Sequence, residues 1–182
     1  MNFASEDLKH EHESVLFGLD VLERMAQQVK KTGTADTGDI GDMVNFLQLF
    51  ADKCHHGKEE KLLFPALEAA GIPNEGGPIG QMLLEHIQGR RFIAEMGISV
   101  AEGKLDADTF LDAANGYLKL MRPHINKENM ILFPMGDQVL PAEKQAQLLQ
   151  QFEAYEAEVM GQGVHEKLHA VLDRFEEKYL GA

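Results

Sequence analysis

The sequence predicts an all-α fold: an up-and-down four-helix bundle with extra C-terminal helices packed outside it. Three observations predict it. Apolar residues recur at helical spacing along most of the chain, no segment alternates as a strand does, and the amphipathic stretches are joined by short, turn-rich loops. Short connections make consecutive helices antiparallel neighbours, and four such helices bury their apolar faces by closing into a bundle.

The first helix carries Leu8, Val15, Leu16, Leu19, Leu22 and Met25 on one stripe, with Ser5 as its expected N-cap and acidic residues in its first turn. The run from Lys30 to Asp39 separates it from a second helix bearing Met43, Phe46, Leu47 and Phe50. Pro65 lacks an amide proton and crowds the preceding turn, so that helix should end or kink just before it. A short turn follows through Leu67 to Gly71, and AGIPNEGGP makes a loop. Pro78 opens a third helix that Gly103 should end. A fourth runs from about Asp106 to Leu132, with a kink expected at Pro123 and a stop at Pro134. Pro141 opens a C-terminal helical region, interrupted at Gly161 to Gly163 and resuming to Tyr179. Its apolar positions (Leu148, Phe152, Tyr155; Leu168, Leu172, Phe175) suit packing across the bundle's outside. One domain over residues 1–182 is expected, with the bundle core at about 5–135 and the extension at about 141–180.

Composition narrows the function. Seventeen Lys and Arg against thirty Asp and Glu leave a net charge of −13, which argues against nucleic acid and against an anionic membrane surface. The apolar runs are too short to span a bilayer, and the polar, acidic N-terminus does not read as a secretory signal. Cys54 is the single cysteine, which rules out an internal disulfide and fits a reducing compartment. A cytoplasmic location is the expectation.

A repeat carries the chemistry. His55 to Pro65 (HHGKEEKLLFP) lies over His124 to Pro134 (HINKENMILFP) with six of eleven positions identical. Upstream of each block Glu11-His12 recurs as Glu85-His86, so a helix pair is written twice: His12 with His55 and Glu59, then His86 with His124 and Glu128. Both His55/Glu59 and His56/Glu60 have H-x-x-x-E spacing, but Ile125 and Asn129 stand opposite the latter pair, which selects His55 and Glu59. Residues four apart share a helix face, so each pair reaches one small object together. His12 shares its stripe with Leu8, Leu16 and Leu19, and His86 with Met82 and Ile93, so all six groups should point inward. Buried carboxylates are costly to ionise unless a cation offsets the charge. Four imidazoles and two carboxylates exceed one tetrahedral zinc and suit two octahedral, redox-active ions, iron first and manganese second. One H-x-x-x-E pair alone, or a lone inward histidine, is ordinary core; the duplicated set is what points to metal.

These residues resemble the hemerythrin-like, or HHE cation-binding, family, whose bacterial members carry H…HxxxE…H…HxxxE with LFP after each HxxxE. The matching elements are His12, His55–Glu59 with Leu63-Phe64-Pro65, His86, and His124–Glu128 with Leu132-Phe133-Pro134, over roughly residues 5 to 135. The resemblance implies a four-helix bundle holding two iron ions joined by an oxo or hydroxo bridge. It also implies that Glu59 and Glu128 bridge the irons and that the four histidines cap them. Oxygen-carrying members have H-x-x-x-H on the third helix, whereas position 90 here is Arg90, and the last carboxylate is spaced HxxxE rather than HxxxxD. One iron then lacks a nitrogen ligand. That favours binding or reaction with dioxygen, peroxide or nitric oxide, as a sensor, scavenger or iron-handling protein, over bulk oxygen carriage. A metal-stabilised structural or interaction module without turnover is the alternative of another class.

The remaining candidates read more plainly. Arg90 either faces the site or points to solvent or pairs with an outer carboxylate, and the outward reading is expected. Tyr117, two turns before His124, is either a hydrogen-bonding neighbour of the metals or a core tyrosine. Cys54 points away from the site as a buried thiol, the methionines fill the core, and His10 and His56 are expected at the periphery. His165-Glu166-Lys167-Leu168-His169 matches the H-E-x-x-H zinc-protease helix, but no third ligand is well placed and no strand pattern would cradle a peptide, so a surface helix is expected. Ferritin-like chemistry needs repeated inward Glu-x-x-His, and the repeat here has the reverse order.

Overall fold

The computed structural model describes residues 3–161 and 164–181, and it is an all-helical bundle. The first rod is α1 (Ala4–Thr32). Phe3 is extended, and its amide approaches the Glu6 carboxylate at 3.4 Å. The cap expected at Ser5 is displaced: Ser5 lies inside the first turn and its hydroxyl donates to Asp137 at 2.8 Å. The rod ends at Gly33, whose φ of 72° is left-handed and suits a residue without a Cβ.

In the second rod Asp36 caps α2 (Thr37–Phe46) by accepting from the amides of Gly38 and Asp39. The rod continues as π-helical turns over Leu47–His56 and Glu59–Leu63, then as α3 (Phe64–Ala69). The chain stays helical through Pro65, with the π segment giving way to α3 at Phe64. The π turn bonds the Phe64 amide to the Glu59 carbonyl, five residues back. That widened turn makes room for a ring that would clash in an α turn. The fourth rod repeats the device. Asp106 caps α5 (Ala107–Lys127, with α4 spanning Pro78–Ser99 before it), a π turn follows at Glu128–Leu132, and α6 (Phe133–Val139) runs straight past Pro134. Pro123 likewise sits inside α5 without ending it. The third rod, α4, begins at Pro78 as expected and ends at Ser99, four residues ahead of Gly103.

Outside the bundle, α7 (Ala142–Met160) lies across α1 and the second rod. Gln145 accepts from the Ala4 amide at 2.8 Å, and the Tyr155 hydroxyl donates to the Lys53 carbonyl at 3.1 Å. Gly57 permits this approach, since a Cβ there would sit 2.3 Å from the Tyr155 hydroxyl oxygen. Next come α8 (Val164–Phe175) and a π turn at Glu176–Leu180, tied to the start of the second rod by Arg174–Asp42 and Lys178–Asp39.

The apolar interior is in two parts. One holds Leu19, Leu22, Met25, Phe46, Phe110 and Tyr117; the other holds Leu8, Phe64, Leu67, Phe133, Leu148 and Phe152. Every rod passes from one to the other through a polar stretch: Leu8 to Val15 through His12, Ala51 to Leu63 through His55, Met82 to Ile93 through His86, and Ile125 to Leu132 through Glu128. The two cores, each burying large side chains worth about 1.5–3 kcal/mol apiece, clamp a polar layer between them. Among the described residues no helix is long and apolar enough to cross a membrane.

Candidate metal centre

The polar layer contains two four-donor groups. His12, His55, Glu59 and Glu128 form one; His56, Glu59, His86 and His124 form the other. Within each, one ligand atom per residue lies within 4.8 Å of the rest, and all of these side chains are buried. Glu59 belongs to both, one oxygen 3.6 Å from His55 Nε2 and the other 3.4 Å from His86 Nε2. Glu128 also reaches across, 3.2 Å from His12 Nε2 and 3.3 Å from His124 Nε2. The six sequence-predicted donors are therefore brought to one place.

His56 is the correction. Expected at the periphery, it is only 2% exposed and stacks on His86 with ring centroids 3.8 Å apart. The π-helical wrap of Leu47–His56 carries two successive histidines inward. Ile125 at the matching position spoke against this because the repeat comparison assumed that both halves do the same chemistry. The imidazole absent at Arg90 on the third rod thus has a counterpart one helix away. Arg90 itself pairs with Asp52 at 2.8 Å and Glu60 at 2.7 Å, the outer-carboxylate arrangement expected of it. His10 is exposed, as expected, and pairs with Glu13.

Each imidazole is held from behind. His55 Nδ1 donates to Glu11, His124 Nδ1 to Glu85, His86 Nδ1 to Glu60 and His12 Nδ1 to Asn129 Oδ1, all at 2.8 Å. His56 Nδ1 faces Asp52 at 3.5 Å. A carboxylate only accepts, so it fixes the proton on Nδ1 and leaves the Nε2 lone pair turned inward. The supports follow the repeat. Glu11 and Glu85 each hold the other rod's histidine, Glu60 and Asn129 occupy matching positions, and Phe64 and Phe133 stack on His86 and His12 at 5.9 and 5.6 Å. The repeated lysine belongs to the same scheme: Lys58 binds Glu11 at 2.6 Å, and Lys127 binds Glu85. Sequence reading passed over all of these, although the Glu-His dipeptide and the shared lysine were visible in the repeat.

The donors fit a cation and little else. His86 Nε2 and His124 Nε2 face each other at 3.2 Å, two lone pairs in opposition once both Nδ1 atoms carry protons. Both oxygens of Glu59 and of Glu128, and Nε2 of His12 and His55, are buried without hydrogen-bond partners among the described residues, which is costly unless something positive completes them. Burial, then the neighbouring Glu128, push Glu59 well above the usual carboxylate range. Burial also disfavours the Glu128 anion, but His124 and His12 outweigh it and hold Glu128 low. His124 is likewise opposed by burial, yet Glu128 and Glu85 raise it to about 9. Burial and, respectively, His86 and His124 drive His56 and His86 well below the ordinary imidazole value. Such displacement in opposite directions is what burying carboxylates and imidazoles against one another produces.

The other candidates stand apart. Tyr117 is fully buried against Gly89, its hydroxyl without a partner among the described residues, and it belongs to neither donor group. Cys54 is buried, and burial followed by Glu11 pushes its thiol up to about 12, an inert state. A third group, Glu11, Cys54 and Glu156, has its positive charge in place already, because Lys58 binds both carboxylates. The side chains of His165 and His169 lie outside the described residues.

Comparison with known proteins agrees with this geometry. The chain is 24% identical over 163 residues to the uncharacterized protein Rv1995 of Mycobacterium tuberculosis, and equally to the uncharacterized protein Mb2018 of Mycobacterium bovis, covering 87% of this chain. It spans 63% of the length of these relatives. No solved structure matches. The hemerythrin HHE cation binding domain matches residues 4–136, which takes in every donor of the polar layer. With its bundle, its buried donors and that match over residues 4–136, the chain belongs to the hemerythrin HHE cation binding family.

Proposed function

We propose that the chain holds two iron ions and binds or reacts with a small oxidant, dioxygen, peroxide or nitric oxide. The observation behind this reading is the pair of four-donor groups sharing Glu59, with each supported imidazole turning Nε2 inward. His12 and His55 would hold one ion, and His56, His86 and His124 the other, with Glu59 and Glu128 bridging them. When bound, such a pair supplies redox electrons and a place for a small ligand to coordinate. The chain's part is positional. Glu11, Glu60, Glu85 and Asn129 fix the tautomers, and Phe64 and Phe133 lie over the rings of His86 and His12. The two cores exclude water on both sides of the layer.

The division of imidazoles, three on one side and two on the other, is the functional asymmetry. The side of His12 and His55 has fewer protein donors and so leaves more room for an outside ligand. The test is metal analysis and absorption of protein made in iron-replete cells, before and after azide, peroxide or nitric oxide. Two irons per chain and a visible band that shifts with the ligand are the expected outcome. A colourless protein with a single zinc would overturn it and leave a metal-stabilised module without turnover.

A further inference from the structure

The two halves of the bundle differ in what covers them. In the first half α7 lies over the support of His55. Its Glu156 binds Lys58 at 2.8 Å and its Tyr155 ring lies 4.9 Å from the Lys61 ammonium, so that Lys58 is only 1% exposed. In the second half the matching positions are Lys127, Met130 and Ile131, and no helix of the described chain covers them. The Lys127 side chain is 36% exposed, Met130 68% and Ile131 53%. The Lys127–Glu85 pair brings α4 alongside, and its neighbours Leu84 and Ile87 are 58% and 61% exposed. At the corresponding places on α1 the chain puts His10 and Glu13, which pair with each other at the surface. Three polar positions, His10, Glu13 and Lys61, thus have apolar counterparts in Leu84, Ile87 and Met130 on the half that lacks a covering helix, which with Ile131 exposes four large apolar side chains.

Charge identifies the occupant. The chain carries −13, so most of its surface repels another copy. This face does not. The stretches 77–94 and 119–136 contain two carboxylates, Glu85 and Glu128, both buried and both part of the polar layer, and five cations, of which Arg90, Arg91, Arg122 and Lys127 are held in ion pairs and Lys119 is exposed. Arg91 pairs with Glu95 at 2.9 Å. An apolar patch free of exposed acid, on an otherwise acidic molecule, is where two copies can approach, and a face meeting its own copy closes as a twofold dimer. We propose that a second copy of this chain docks here, Leu84, Ile87, Met130 and Ile131 against their equivalents. It would cover Glu85–Lys127 as α7 covers Glu11–Lys58.

Sedimentation or light scattering of the metal-loaded full chain at about 10–100 μM tests this. The expected mass is twice the 20.3 kDa of the chain. Ile87→Glu and Met130→Glu, each at a solvent-facing position, should keep the helical circular dichroism and weaken the dimer at least about 30-fold. Val139→Glu, an exposed apolar position on α6, should leave it intact. A monomeric parent protein, or a dimer unmoved by both glutamates, overturns the proposal; a monomeric parent would leave the face to an unlike protein.

Discussion

His56 and Ile125 occupy the same position of the two repeated blocks, and the structure puts them to opposite uses. His56 stacks on His86 within a donor group, with Asp52 behind it and Arg90 bound to that same Asp52. Ile125 is buried in the larger apolar core. Around His56 stand Asp52 and Arg90; the residues at the matching places of the other half are Met121 and Leu16. A polar trio on one side and an apolar trio on the other make the centre asymmetric although its scaffold is duplicated.

His56→Ala should therefore lower metal content toward one ion per chain, or weaken one of two ions by about 10-fold or more, while Ile125→Ala leaves stoichiometry alone. Metal analysis after dialysis against a mild chelator reads both. Equal metal in the His56 variant and the parent would return His56 to the role of a buried spectator.

Glu60→Ala is expected to sit between a ligand and a bystander. Glu60 accepts from His86 Nδ1 at 2.8 Å and from Arg90 at 2.7 Å, but it is in neither donor group. Loss of such a support costs about 10–100-fold in affinity. Glu59→Ala and Glu128→Ala remove groups that face both sets of imidazoles and should abolish stoichiometric binding. Competition titration with a chromophoric chelator separates the two classes, and identical losses in all three variants would contradict it.

Much of this was legible in the sequence because it was written twice. Helical spacing gave the rods, and the repeat gave His12, His55, Glu59, His86, His124 and Glu128. Pro134 reads as a stop, and Pro65 as an end or kink, because the ring crowds an α turn; π turns beginning at Glu59 and Glu128 precede both, while Pro123 sits inside α5 itself. His56 was set aside because symmetry was taken to decide importance, whereas the site is asymmetric by design of its polar and apolar surroundings. Lys58 and Lys127 were counted as identities but not understood, since their role appears only when Glu11 and Glu85 come near them in space.

Those lysines make a matched pair for stability. Lys58 is buried and binds Glu11, Glu156 and, at 3.5 Å, Asp7. Lys58→Ala strands an acidic cluster, and because Asp7 and Glu156 still reach water the cost should fall near or just below the low end of the about 3–5 kcal/mol typical of a broken buried pair. Lys127 is partly solvated, and Lys127→Ala should cost no more than about 1 kcal/mol. Urea unfolding of metal-free protein compares them directly. Equal costs would mean that α7 does not seal the first half more tightly than the second.

Tyr117 provides the last test, because its hydroxyl is buried without a partner among the described residues. Burial, then the charge of Asp52, push the phenol well above its ordinary range, so it stays protonated at any pH the fold tolerates. An unsatisfied buried hydroxyl costs about 1–3 kcal/mol, and Phe fills the same space without that cost. Tyr117→Phe should accordingly raise the unfolding free energy of the metal-free protein, by up to about 2 kcal/mol, or leave it level, and leave metal content unchanged. If the variant instead loses stability only when metal is loaded, the hydroxyl takes a partner in the filled site, and Tyr117 joins the groups that support the metals. Melting temperatures with and without metal, for parent and variant, discriminate between the core tyrosine and the supporting one in a single four-way comparison.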